Sequence, residues 1–223
     1  MANITRYSSV HLIEEAGVDP AVWSKIPSPT VLGNTKKEIE NRGIKVIVTE
    51  NGENALTILK GLIPPGSEVM NGSSTTLVEI GYEEFIAGDT TGWDLLHKRI
   101  TAENDSAKRA ELRRKSVTAE YFISGVNAIS ETGEIVGCDA SGSRVGAWPF
   151  AAGHLILVAG TNKIVPTLDN ALQRVRNIAY PLENARAQKV YGIPSVIGKC
   201  VILANERIPG RTTLILVDEA LGY

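Results

Sequence analysis

Between Val117 and Pro166 the chain sets a carboxylate, an amide, a guanidinium and an ammonium among short apolar runs. Glu131 opens a Glu-Thr-Gly-Glu turn and, if desolvated, has the right group for general acid or base work. Glu134 closes the same turn and reads as an exposed turn carboxylate. Arg144 ends the small-residue loop Asp139–Arg144, where a guanidinium can fork onto a ligand carboxylate or phosphate. A structural ion pair between Asp139 and Arg144 accounts for the same two residues equally well. Lys163 follows the turn Gly160-Thr161-Asn162 at a strand end, where open α/β sheets place ligands. Asn127 lies on a strand with apolar neighbours and needs a hydrogen-bond partner if buried.

A second candidate is the run Asn71-Gly72-Ser73-Ser74-Thr75-Thr76-Leu77, in which a strand passes through small residues into a short helix. Gly72, Ser73, Ser74 and Thr75 are ligand-binding candidates, because a helix capped by Ser74 or Thr75 leaves backbone N–H groups free for phosphate or carboxylate. The plainer reading is an ordinary turn whose hydroxyls only cap the helix. No GxxxxGK[ST], GxGxxG or GxSxG run is present, which removes the P-loop, the dinucleotide fingerprint and the nucleophile elbow. The three histidines, at 11, 97 and 154, form no legible Ser/His/Asp set. His97, among Leu95, Leu96 and Ile100, reads as a packed or surface residue, and His154 as the start of a strand. No metal-ligand cluster stands out.

Composition narrows the classes. With 43% hydrophobic and 22% charged residues the chain is ordinary for a soluble globular protein. A net charge of −2 and 5% aromatics give no case for nucleic acid or an anionic membrane as partner. No apolar run approaches the roughly 20 residues of a membrane helix, and the N-terminus lacks the pattern of a signal peptide. A cytoplasmic location is the expectation. The two cysteines, Cys138 and Cys200, are too few for a cubane cluster, and no CxxC is present. Both read as inert thiols, since a disulfide between them is at odds with a cytosolic setting.

The elements that must position the candidates are read from periodicity. Pro20, Pro27 and Pro29 break residues 1–30 into an arm lying over the body, and 31–223 reads as one α/β domain. A helix runs from the Ser28-Pro29 cap to Gly43, and another over about Glu53–Leu62. A loop spans Gly88–Gly92, and a Lys/Arg-dense solvated helix covers Asp105–Ser116. An amphipathic helix follows the Thr167 cap, with Pro181–Tyr191 as a separate short helix. Strands are expected at Ile44–Val48, Glu68–Met70, Glu120–Ser124, Val126–Glu131, Glu134–Asp139, His154–Ala159, Gly198–Ala204 and Thr212–Val217. If these are parallel neighbours, the Gly72–Thr76 loop, the Asp139–Arg144 loop and Asn162-Lys163 converge on one crevice, with Glu131 as the nearest acid or base. The proline-broken arm is a natural contact element, from which a homodimer is expected.

The runs NGSSTTLVEIG, SGVNAISETGEIV, SGSRVG, HLILVAGTNKIVP and TLILVDEALGY, in that order between Ser28 and Tyr223, resemble the lactate-utilisation (LUD) domain family. The resemblance implies a layered open α/β sheet with flanking helices, of the sugar-isomerase and CoA-transferase type, and a link to lactate oxidation. It makes a small anionic metabolite, lactate or another short hydroxy or keto acid, the leading ligand. As an accessory protein of a lactate-oxidising assembly, the chain would rely on iron–sulfur, flavin or oxidase subunits from elsewhere. The alternative is a stand-alone isomerase or acyl-transfer enzyme using a site carboxylate on a sugar phosphate, organic acid or CoA ester. Some relatives carry a cysteine cluster near the C-terminal end; here only Cys200 stands there, and the cofactor stays unassigned.

Overall fold

The computed structural model describes residues 8–88 and 91–223. Part of the expected Gly88–Gly92 loop, at 89–90, lies outside the described residues. Helices α1 (Ser9–Ala16), α2 (Pro20–Trp23) and α3 (Pro29–Asn41) precede the first strand. Strand β1 (Lys45–Thr49), helix α4 (Gly52–Leu62) and strand β2 (Glu68–Asn71) follow, then α5 (Thr75–Glu79), α6 (Tyr82–Ala87) and β3 (Asp94–Leu95). Helices α7 (Leu96–Ala102) and α8 (Ser106–Lys115) lead to β4 (Tyr121–Gly125), β5 (Ala128–Ser130), β6 (Ile135–Asp139) and β7 (His154–Gly160). The chain closes with β8 (Ile164–Val165), α9 (Leu168–Arg174), α10 (Tyr180–Tyr191), β9 (Lys199–Leu203) and β10 (Thr212–Val217).

Six strands form a parallel sheet in the order β1-β10-β7-β4-β2-β3. Its strands are near-continuous apolar runs because both faces are covered. Along β7, Leu155, Leu157 and Ala159 enter one core while Ile156 and Val158 enter the other, the two-residue alternation of a pleat. Leu214 and Leu216 against Ile215 and Val217 repeat the division along β10.

The stretch Val117–Pro166 divides between two sheets. β4 and β7 join the parallel sheet, but β5 and β6 belong to a second sheet in the order β8-β5-β6-β9. Turn chemistry decides this. Gly133 takes φ 99°, and Ser130 N–H donates to Glu134 O at 2.9 Å, closing a tight turn that can join only antiparallel strands. The expected break before Pro181 is also absent: α9 continues through a π turn at Val175–Ala179 directly into α10. The wider turn shifts the backbone register where an α-helix would press a carbonyl on the proline ring. The arm packs through Leu12, Ile13 and Trp23 onto Ile178, Leu182 and Tyr223.

Candidate functional site

Strand order sets where a pocket can open. From β2 the chain leaves toward β3 at one edge, and from β4 it leaves toward β7 and then β10 on the other side. The carboxyl ends of β2 and β4, parallel neighbours, therefore flank a switch point, the usual place for a ligand in an open sheet. Gly72 N–H donates to Ile123 O at 2.9 Å and ties the loop after β2 to β4. Two glycines allow close approach. A Cβ at Gly125 would overlap Ser74 Oγ, and one at Gly72 would fall 2.5 Å from Cγ of Arg144. Ser74 Oγ accepts the Leu77 N–H at 3.3 Å, so this hydroxyl caps a helix of five residues.

Beneath that loop, three consecutive backbone carbonyls each hold a different cationic side chain. Arg144 Nη1 donates to Gly125 O at 2.8 Å, Lys163 Nζ to Val126 O at 2.7 Å, and Arg174 Nη1 to Asn127 O. Arg144 Nη2 also donates to Asn127 Oδ1 at 2.8 Å and to Cys138 O. Lys163 completes its shell with Thr76 Oγ1 at 2.7 Å and Tyr223 O at 3.4 Å. Among the described residues, no carboxylate side chain stands within 4.0 Å of any of these three cations. Burial pulls all three down: Arg144 below its usual value, Lys163 far below, and Arg174 to about 9, still protonated at neutral pH. Arg174 also lowers Lys163 by charge repulsion, though less than burial does. Lys163 can sit there as a neutral amine, because the Thr76 hydroxyl is able to donate to its lone pair.

The opposite wall is a closed acid–base set. Arg186 donates through Nε and Nη2 to the two oxygens of Glu183, both at 2.7 Å, and Tyr223 O–H donates to Glu183 at 2.8 Å. The hydrogen bonds to Glu183 raise Arg186, and burial raises the Tyr223 phenol. Between these walls lies a pocket of about 80 Å³ lined by Ser73, Ser74, Thr75, Gly125, Asn127 and Arg144. Arg144 is partly exposed, and its Nε–H and second Nη1 hydrogen have no protein acceptor among the described residues. Ser73 and Arg144 are shared with an adjoining cleft of about 410 Å³, whose wall includes Gly72, Glu83, His97, Arg109 and Arg113. There burial lowers His97; burial, and then the neighbouring Glu84, raise Glu83. Among the described residues, no group of three or more His, Cys, Asp or Glu side chains could hold a metal ion.

The residues singled out from sequence take four positions. Ser73, Ser74, Thr75, Asn127 and Arg144 line the pocket, Gly72 lines the adjoining cleft, and Lys163 lies buried behind the pocket. Glu131 is elsewhere: it walls a separate cleft beside Ile164 and Arg174. It follows β5 while Asn127 precedes it, roughly 13 Å away along an extended strand. Glu134 is not an exposed turn carboxylate but is held by Arg42 at 2.7 Å and by the Ser130 and Thr132 hydroxyls; burial acts to raise its carboxyl, and the hydroxyls, with Arg42 adding least, together outweigh it and hold it below its usual value. Nor do Asp139 and Arg144 form an ion pair; Asp139 accepts the backbone N–H groups of Gly142, Arg144 and Val145. Glu183, Arg186 and Tyr223 line the pocket, and Arg174 lines the separate cleft beside Glu131, without having been singled out. For Arg174 a signal existed. It shares the face of Ala171 and Ile178, so it is a charge on a buried stripe.

An open parallel α/β sheet flanked by helices, with a polar pocket at its switch point, places the chain in one class of α/β domains. Within that class the chain belongs to the LUD domain family, which matches residues 32–217. No curated protein matches it. Among solved structures it is similar to a DUF162 family protein from Deinococcus radiodurans, at 15% identity and a TM-score of 0.47 over 86% of this chain and 99% of that one. No helix among the described residues is long and apolar enough to cross a membrane.

Proposed function

We propose that the protein binds a small organic acid, of the lactate and short hydroxy- or keto-acid class, with its carboxylate against Arg144 and the Ser73–Thr75 loop. One observation carries this reading: the half-buried Arg144 guanidinium lines the pocket, and no carboxylate side chain among the described residues stands within ion-pair distance to balance it. Uncompensated buried charge is costly, and a bound carboxylate relieves it. The volume of about 80 Å³ suits a carboxylate with one or two carbons, and the adjoining cleft gives room for the rest. Family membership supports lactate metabolism as the setting, with electron carriers supplied by other chains.

A second reading, a stand-alone enzyme of isomerase or acyl-transfer type, draws on His97 and Glu83 in the adjoining cleft. Burial favours the neutral form of each, which suits proton transfer. Glu183 is a poor candidate for that work, since Arg186 and Tyr223 already occupy its oxygens. A thermal-shift screen against short hydroxy and keto acids, sugar phosphates and CoA esters tests both. Stabilisation by short acids alone, weakened in Arg144→Lys, is expected. Stabilisation by sugar phosphates or CoA esters alone would favour the enzyme, and no stabilisation by any of them would remove the binding reading.

A further inference from the structure

We infer that the cleft between the arm and the α9–α10 helix is a second ligand site, for a monocarboxylate with an apolar body, anchored by Arg174. The cleft has a volume of about 600 Å³, within the range of drug-sized ligand pockets. Arg174 contributes to its wall and is only 3% exposed. Its Nη1 donates to Asn127 O, but its Nη2 is buried without any hydrogen-bond partner. Buried guanidinium N–H groups are nearly always paired, so an orphan beside an open cleft points to an acceptor arriving from outside.

The remaining wall selects the acceptor's body. Val18, Val22, Ile26, Ile164 and Val165 line the cleft, and Val22 and Ile26 stay 52% and 47% exposed. Asn170, Gln173 and Asn177 add neutral amides on the helical face that carries Arg174. The charges of Arg174 and Lys25 are matched in number by Asp19 and Glu131, and Asp19 already accepts the Ala21 N–H at 2.9 Å. A near-neutral apolar cleft with one orphaned guanidinium nitrogen suits a monoanion better than a phosphate ester, which would need several cations. The π turn at Val175–Ala179 adjoins Arg174; such turns recur at functional sites. This site is independent of the Arg144 pocket, because Glu131 and Ile26 line only the larger cleft.

The test is calorimetric titration of the whole protein with octanoate and with octan-1-ol at neutral pH. Wild type should bind octanoate saturably and the alcohol at least about tenfold more weakly, the lower bound for losing one charge-assisted hydrogen bond. Ile26→Trp, which fills the cleft from its exposed rim, should abolish octanoate binding while leaving the melting temperature and the Arg144 pocket's response to short acids unchanged. Should Ile26→Trp fail to fold, Val22→Trp makes the same test. Absence of saturable octanoate binding to wild type, equal binding of the alcohol, or undiminished binding to the filled variant would each overturn the site. Short acids titrated into the same samples separate this outcome from a failure of the Arg144 pocket.

Discussion

Replacing Arg144 by alanine removes a guanidinium that donates to three acceptors, Gly125 O, Asn127 Oδ1 and Cys138 O; Gly125 O keeps the Ser124 hydroxyl at 3.0 Å and Asn127 Oδ1 keeps the Cys138 N–H at 2.8 Å. A hydrogen bond to a charged group contributes about 1.5–3 kcal/mol. The three share one donor group, so their values do not add. Arg144 is partly exposed, so water can reach some of what it leaves. Since no opposite charge is left unpaired, the net loss should be about 1.5–3 kcal/mol, the value of one hydrogen bond from a charged donor. At roughly 2–4 °C per kcal/mol for a chain of this size, the melting temperature should fall by about 3–12 °C. Urea denaturation followed by circular dichroism gives the same quantity as a lowered midpoint with unchanged slope. Arg144→Lys, which keeps the charge but not the fork, should lose less stability and still weaken short-acid binding. A fall of less than about 2 °C for Arg144→Ala would refute the reasoning, because the three acceptors would then not depend on the guanidinium.

Lys163 makes stability depend on pH. Burial holds its folded pKa below the unfolded value, so between the two the unfolded chain carries the extra proton and stability rises with pH. Its contribution is lost as pH falls through the folded value. Urea midpoints of wild type should therefore climb toward about pH 10 more steeply than those of Lys163→Met, and equal slopes would contradict a depressed lysine. Gly125→Ala should push Ser74 out of the pocket and lower short-acid affinity at least tenfold in titration calorimetry, with full affinity counting against the close approach of the two loops. Cys138 and Cys200 face each other across β6 and β9, but burial, with Cys200 next, lifts the Cys138 thiol to about 12. Ellman's reagent should thus titrate one thiol in the native protein, Cys200, and the second only in denaturant; two fast thiols would contradict the burial.

Much of the main sheet was legible from local pattern. Ile44–Val48, His154–Ala159 and Thr212–Val217 are apolar runs too short for helices, and the structure places strands there within a residue or two. Turn chemistry exposed the hairpin at Gly133, but an antiparallel pair does not announce which sheet it joins, and here it built a second one. The same limit hid Glu131's position. Glu131 was expected as the nearest acid or base to the crevice, whereas β5 carries it to the end opposite Asn127. Loops with small residues at Gly72–Thr75 and Asp139–Arg144 were visible because their composition is local. Tyr223, Glu183 and Arg186 were not, since they lie far along the chain from Arg144 and only the tertiary fold brings them into one pocket with it. The proline at 181 misled for a related reason: a π turn, which leaves no sequence signature, absorbed the break.

The central claim is that a small carboxylate binds between the Ser73–Thr75 loop and Arg144. Titrating ¹⁵N-labelled protein with lactate, pyruvate and glycolate, and following backbone amides together with the arginine Nε–H resonances, tests it most directly. The account predicts saturable shifts at Ser73, Ser74, Thr75, Gly125 and the Arg144 Nε–H, with the amide of Glu131 unmoved. No shift with any of the three acids, or shifts gathered around Glu131 and Arg174 instead, would contradict it.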